Sequence, residues 1–289
     1  MQAHPDPQAE ILEGAQITLL LPLWARAKET LTPHPIIVDK RAVEIVEGLR
    51  TCREYHAIFD QLEKNLDDFY RLSQLIRARC IDDEIRTYLS SHPKATVVNI
   101  GAGLDTTFER VDNGEVKWYD LDLPEVVSMR GQFMRETDRS KFISKSMLDT
   151  SWFDDIEPAQ HGLMFAACGV LFFLDRNQIR QLICGLANRF PGSEIAFDTM
   201  SRPFLAMSNW TVLRKGGMGS KTHLRWSIQS AAGMKKWSDR ISIVDEYPMY
   251  SRVQMDPAWG RASTNRMKLV NQLHGINIFH LSFLPAQGI

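Results

Sequence analysis

The feature that most constrains the fold is a change of hydrophobic period at residue 93. From about residue 12 to residue 91, apolar side chains recur at three- and four-residue steps, as in Leu62, Leu66, Phe69, Leu72, Leu75 and Ile76. That is the helical repeat. The cluster Ser90-Ser91-His92-Pro93 breaks it, and residues 95–100 (ATVVNI) form a short β-branched run that stops on Gly101. Strand-type runs then follow at 116–121, near Phe142, and at 162–167, 194–199, 241–244 and 276–283, with helices from Pro124 and over 175–189 between them. Such alternation predicts a mostly parallel sheet with helices on both faces. Residues 1–93 are expected to form a helical layer and residues 94–289 the α/β core. With no repeat, low-complexity tract or long linker, the reading is one structural domain.

Charge adds a second constraint. The 289 residues carry 34 Lys+Arg against 35 Asp+Glu, a formal net charge of -1. This balance argues against a dedicated nucleic-acid binder, which needs a Lys/Arg surplus to neutralise phosphates. It conceals a segment, residues 199–238, that contains no Asp or Glu and seven basic residues: Arg202, Arg214, Lys215, Lys221, Arg225, Lys235 and Lys236. A basic insertion after the fifth strand is expected to act as a lid, at about 200–238, with Gly216, Gly217 and Gly219 as a hinge and Trp210 and Trp226 as apolar walls. Cys52, Cys80, Cys168 and Cys184 never fall within four residues of one another, so no structural metal site or dithiol is expected. The longest largely apolar run, residues 17–25, is too short to span a bilayer and lacks the basic flank of a signal peptide, so the expected location is the cytoplasm, without membrane attachment.

The chemistry-bearing motif is Val97-Val98-Asn99-Ile100-Gly101-Ala102-Gly103-Leu104-Asp105-Thr106, a strand, a glycine turn and a helix start. Glycines let backbone adopt positive φ and approach a ligand closely. Thr106 and Glu109 have capping-box spacing, which places a helix N-terminus just past the turn. A dinucleotide fingerprint wants a third glycine where Thr106 stands. Asp122, at the end of the next strand and 21 residues after Gly101, lies where a carboxylate can accept both hydroxyls of an adenosine ribose. Asp120, two residues earlier on the same face, is either a second polar contact or a strand-end carboxylate.

The runs VVNIGAGLDTTFERV and WYDLDLPEVV resemble the S-adenosylmethionine site of the leucine carboxyl methyltransferase superfamily. Residues 18–42, residues 75–89 (LIRARCIDDEIRTYL), ACGVLFFL, RFPGSEIAFDTMS and residues 226–246 extend the similarity to its bacterial branch, related to the tetracenomycin O-methyltransferase. The resemblance implies a Rossmann-like methyltransferase fold with a seven-stranded, mostly parallel sheet, and S-adenosylmethionine as cofactor. It implies that Arg77 meets the methionine carboxylate, that Lys28 supplies a further basic contact for which Arg26 competes, and that Gly101 and Gly103 line the methionine end. Asp122 and Leu123 fall at the ribose, Ser146, Met147 and Leu148 near the adenine, and Cys168 in the pocket wall.

Departures from the family pattern narrow the acceptor. Ser146 stands where many members have an Asp for the adenine amine. The arginine and tyrosine with which the leucine-specific branch hooks its substrate are replaced by Leu148 or Asp149 and by Phe173, and Cys168 replaces a glutamate. The resemblance implies O-methylation of a carboxylate or hydroxyl on a small, polyketide-like acceptor, and the basic segment an acidic one, drawn in by Arg202, Arg214 and Arg225. An ionised acid needs no base, whereas a phenol would recruit one from His34, His56, His223 or Tyr247. No obligatory catalytic side chain is visible. The alternatives are an NAD(P)-dependent oxidoreductase and a non-catalytic S-adenosylmethionine-binding protein, and the oligomeric state is left open.

Overall fold

The run TVVNI is buried along its whole length, as a central strand covered on both faces must be. It forms β1 (Thr96–Ile100) in a computed structural model that describes residues 18–157, 159–211 and 223–285. The other strands are β2 (Lys117–Asp122), β3 (Ser140–Ser144), β4 (Leu163–Ala167), β5 (Glu194–Met200), β6 (Ile241–Pro248) and β7 (Ile276–Phe283). They make one sheet in the order β3-β2-β1-β4-β5-β7-β6. Strands β1 to β5 pair in parallel, while β7 is antiparallel to both β5 and β6. Strand order reverses between β1 and β4, which opens a crevice at the carboxyl ends of the strands.

Alternation along the strands assigns the two faces. Val97, Trp118, Met164 and Ala196 pack against α1 (Leu20–Thr30), α2 (Lys40–Leu49), α3 (Arg53–Asn65) and α4 (Asp68–Ser91). Val98, Tyr119, Phe165 and Phe197 pack on the other face against α7 (Arg176–Arg189) and Trp152. The helical pattern that reads as continuous through Leu66 is interrupted there, because Leu66 is extended and Asp67 begins α4 by accepting from Tyr70 N. Asp at an N-cap satisfies one of the free amides of a helix start. The remaining helices are α5 (Thr107–Val111), α6 (Pro124–Phe133), α8 (Arg202–Ser208) and α9 (Arg261–Gln272). Among the described residues no helix is long and apolar enough to cross a membrane.

The acid-free segment is pinned at both limbs. Asn209 Nδ2 donates to Leu224 O at 3.0 Å and Asn209 Oδ1 accepts from Leu224 N at 2.8 Å, so one side-chain amide closes the neck of the excursion. Arg225 N and Trp226 N both donate to Phe172 O, and Ile228 N to Met200 O. Trp226 is buried against Phe197 and does not serve as a lid wall. The expected hinge, Gly216, Gly217 and Gly219, lies outside the described residues, as do Arg214, Lys215 and Lys221.

A buried ionic link ties the antiparallel edge to the helical layer. His280 on β7 bonds Glu84 Oε2 of α4 at 2.8 Å through Nδ1 and Glu194 Oε2 of β5 at 2.7 Å through Nε2. Burial disfavours the imidazolium, but the two hydrogen bonds and charges outweigh it and raise the His280 pKa from 6.5 to about 9. A raised folded-state pKa stabilises fully below the unfolded value and is lost as pH rises through the folded one. The contribution, on the order of 3 kcal/mol, should thus be complete below about pH 6.5 and vanish above about pH 9. Urea denaturation of the native protein and His280→Gln should show a stability gap that is large at pH 6 and small at pH 9.5; a gap constant across that window contradicts the assignment.

Candidate active site

The site begins with the peptide units of the glycine turn. Gly101 and Gly103 have φ of +69° and +53°, the left-handed region that disfavours side chains. A Cβ on Gly101 would come within 2.5 Å of Val170 Cγ2, so only glycine fits. Gly101 N and Ala102 N donate to Leu121 O at 2.8 and 3.1 Å, and Gly103 N donates to Asp122 Oδ2 at 2.7 Å. The carbonyls turn away from the crevice onto two buried arginines. Arg26 Nη2 donates to Leu104 O at 3.0 Å, while Arg130 Nη1 donates to Gly103 O at 3.0 Å and Asp105 O at 2.6 Å.

Each arginine is balanced by a buried carboxylate. Arg26 Nε pairs with Asp39 Oδ2 at 2.8 Å, and Arg130 Nη2 with Asp120 Oδ2 at 2.6 Å. Asp120 also accepts from Trp118 Nε1 and Asn99 Nδ2, so of its two readings the structure selects the strand-end carboxylate. Arg110 bonds both oxygens of Asp82 at 2.8 and 2.9 Å and reaches Asp105. Burial would raise the Asp105 carboxyl, but Arg110 and Arg26 outweigh it and hold it well below the usual carboxylate range. The capping box expected at Thr106 and Glu109 does not form. Thr106 Oγ1 instead donates to Asp39 Oδ2, Glu109 pairs with Arg41, and α5 is a five-residue helix.

A cavity of ≈ 340 Å³ lies over this turn, between the strand ends and helices α1 and α4. Its lining includes Arg77, Gly101, Gly103, Asp122, Leu123, Ser146, Met147, Leu148 and Cys168. Asp122 Oδ2 and Oδ1 accept from Gly103 N and Leu123 N, both at 2.7 Å; burial pushes its carboxyl pKa up against those two bonds. Ser146 Oγ accepts from Leu148 N, and Trp152 Nε1 fixes Met147 O at 3.1 Å, which shapes the turn after β3. Burial pushes the Cys168 thiol up to about 12, which leaves it a wall rather than a nucleophile.

The structure brings together nine of the ten expected cofactor residues and leaves out Lys28. Two residues along a helix turn a side chain by about 200°, so Arg26 faces the cavity and Lys28 faces solvent, over the Trp24 ring at 5.3 Å. Arg202 and Arg225 are exposed and line no part of the cavity; Arg225 points outward because its neighbours Leu224 and Trp226 point in. None of His34, His56, His223 and Tyr247 lines it either, and Tyr247 Oη donates to buried Glu84 at 2.7 Å.

The lining also carries a mainly apolar, aromatic set that was not anticipated. Phe69, Tyr70 and Ser73 of α4, Phe172, Phe173, Met200, Phe204, Leu224, Met249 and Ile276 form it. A signal for part of this wall existed in the sequence, since residues 69, 73 and 77 recur at four-residue steps on the face that carries Arg77. Of the positions expected to replace the leucine-specific branch's polar hooks, Leu148 or Asp149 and Phe173, Leu148 and Phe173 line the cavity and Asp149 does not. Among the described residues no group of His, Cys, Asp and Glu side chains could hold a metal ion.

The tetracenomycin polyketide synthesis O-methyltransferase TcmP of Streptomyces glaucescens is 25% identical over 248 residues, covering 82% of this chain and 88% of its own. The S-adenosyl-L-methionine-dependent methyltransferase dpfgK of Gibberella zeae is 25% identical over 254 residues, covering 82% and 85%. A crystal structure of a DUF574 family protein from Streptomyces avermitilis shares the fold with a TM-score of 0.59 at 12% identity, covering 83% of this chain and 94% of that one. The protein is an S-adenosylmethionine-dependent methyltransferase. Residues 20–187 match the leucine carboxyl methyltransferase family, and the chain belongs to it. The NAD(P) alternative is thereby set aside. The cavity fits this cofactor on its own terms: its lining holds a buried Arg77 whose Nε has no hydrogen-bond partner, together with the Asp122 carboxylate, whose pKa burial pushes up.

The buried pairs under the turn predict a stability pattern. Arg130→Met leaves the Asp120 charge buried and two carbonyls without donors, and should cost about 3–5 kcal/mol in denaturant unfolding. Arg130→Met combined with Asp120→Leu should recover part of that loss; equal destabilisation by single and double variants would contradict the pairing.

Proposed function

We propose that the protein methylates an oxygen of a small acceptor with an aromatic, polyketide-like body, and that the oxygen arrives ionised, as a carboxylate or acidic phenolate. The observation that carries this is a single cavity lining that joins Arg77, Asp122 and Ser146 to the rings of Phe69, Tyr70, Phe172, Phe173 and Phe204. Apolar walls with few polar groups favour burial of a flat apolar ligand. The similarity to an enzyme named for tetracenomycin polyketide synthesis supports the same acceptor class.

In this reading Arg77 holds the methionine carboxylate, Gly101 and Gly103 let backbone approach the methionine end, and Asp122 accepts from the ribose hydroxyls. Leu123, Met147 and Leu148 flank the adenine, Ser146 offers it a hydroxyl, and Cys168 is small enough to leave room. Bound cofactor supplies a methyl group on a positively charged sulfur, whose transfer to an anionic oxygen cancels charge and is helped by exclusion of water. The protein's part is to orient and dry the two reactants. Among the described residues the cavity lining has no His, Lys or Glu, and its carboxylates Asp105 and Asp122 already accept from Thr107 and from Gly103 N and Leu123 N, so an acceptor that arrives ionised suits it. Arg202 and Arg225, being exposed, act as long-range attraction for an anionic acceptor, with Arg214 in the same basic segment.

Two outcomes test this. Asp122→Ala should keep its fold and weaken S-adenosylmethionine binding by roughly 1.5–3 kcal/mol, the worth of hydrogen bonds to a charged group, as read by calorimetry; unchanged affinity contradicts the ribose assignment. Incubation with methyl-labelled cofactor and a panel of aromatic acids, phenols and amines should give methyl esters or ethers. Label on nitrogen, or no turnover of any panel member by protein that binds the cofactor, would overturn the reading.

A further inference from the structure

Two buried polar atoms without hydrogen-bond partners, Asp198 Oδ2 and Arg77 Nε, belong to one ion pair at the cavity wall. Asp198 on β5 has a side chain with no solvent exposure. Its Oδ1 accepts from Gly169 N at 2.5 Å, while its Oδ2 accepts nothing and stands 3.7 Å from Arg77 Nη1. Arg77 Nη2 donates to Gln74 Oε1 at 2.6 Å, and its Nε is buried and unpartnered. Gly169, just after β4, has φ of +73°, and a Cβ there would meet Arg77 Nη2 at 2.7 Å and Cζ at 2.8 Å. Three elements thus converge on one guanidinium: α4 carries it, the β4 loop supports its face, and β5 supplies the counter-charge. Arg77, Gln74 and Gly169 line the cavity, whereas Asp198 does not.

A buried carboxylate that satisfies only one oxygen is costly unless a charge stands near it. Burial does raise the Asp198 carboxyl pKa, with Arg77 and the Gly169 amide opposing. The 3.7 Å separation gives Coulomb attraction without committing a guanidinium hydrogen to a short bond. We infer that Asp198 is a positioning residue, which neutralises and aims the Arg77 fork from behind and fixes the Gly169 backbone against it, so that Arg77 keeps donors free for an anionic group entering the cavity. The inference rests on Arg77 as the contact of the cofactor carboxylate. It goes beyond that reading in giving Asp198, which touches no ligand, control over carboxylate recognition.

Asp198→Asn retains the size and an oxygen for Gly169 N–H, but removes the charge. Calorimetry on the folded protein with S-adenosylhomocysteine, and with 5'-methylthioadenosine, which lacks the carboxylate, reads the role without turnover. Asp198→Asn should weaken S-adenosylhomocysteine by about tenfold, the scale of one charge-assisted bond, and methylthioadenosine by less than about twofold. In an Arg77→Ala background the Asp198→Asn effect should disappear, since a residue acting through another has nothing left to act on. Equal weakening of both ligands, no weakening of either, or an undiminished effect without Arg77 would overturn the proposal. If Arg77→Ala itself weakens both ligands equally, the carboxylate reading falls and the inference with it; if Arg77→Ala discriminates and Asp198→Asn does not, only the inference falls. Should Asp198→Asn fail to fold, Gly169→Ala, which drives a methyl into the guanidinium, must give the same ligand-selective loss, and an equal loss for both ligands overturns the proposal.

Discussion

The cofactor end of the cavity depends on which way the peptide units of residues 101–105 are turned. The carbonyls of Gly103, Leu104 and Asp105 are drawn onto Arg130 and Arg26, while the amides of Gly101, Ala102 and Gly103 are taken by Leu121 O and Asp122. Buried arginines are tolerated only with buried counter-charges, so Asp39 and Asp120 follow of necessity. Asp39 caps α2 through Ala42 N as well as pairing with Arg26, which joins the helical N-terminal layer to the turn. That layer is thus part of the site: α1 brings Arg26, α2 brings its partner, and α4 brings Arg77.

The cavity lining sets Asp122 and Arg77, which offer directed hydrogen bonds, beside the apolar side chains of Phe204, Met249 and Ile276. Such a lining suits a polar ligand placed with directional bonds and a second one placed by shape. The return limb of the basic segment is fixed to Phe172 O and to Asn209, which brings Leu224 and Ser208 to the cavity and leaves Arg202 and Arg225 outside it.

Much of the sheet and the polar part of the lining was legible in the sequence, because both are local. A β-branched run ending on Gly-Ala-Gly and a carboxylate at the next strand end are short-range patterns, and all seven strands lie close to their expected positions. What escaped was set by tertiary competition. Thr106 has the right spacing for a capping box, yet its hydroxyl is taken by Asp39, 67 residues away. Lys28 and Arg26 are equally basic, and only the rotation of α1 against the sheet separates them. The short α8 and the polar-rich α9 carry a weak apolar pattern, so neither stands out from sequence. Phe204, Met249 and Ile276 come from separate parts of the chain and meet only once the antiparallel edge is folded. Gly169 and Asp198 are ordinary in sequence and gain meaning only from their distances to Arg77.

On the proposed reading Arg77 holds the cofactor carboxylate and Asp122 the ribose, with the aromatic part of the lining left for the acceptor. Diffraction from crystals grown with S-adenosylhomocysteine tests it most directly. The account predicts a cofactor carboxylate within about 3 Å of the Arg77 guanidinium, ribose hydroxyls on Asp122, and the sulfur facing Phe172 and Phe204. A carboxylate bound by Arg26 instead, or a cofactor lying among the aromatic rings, would contradict it.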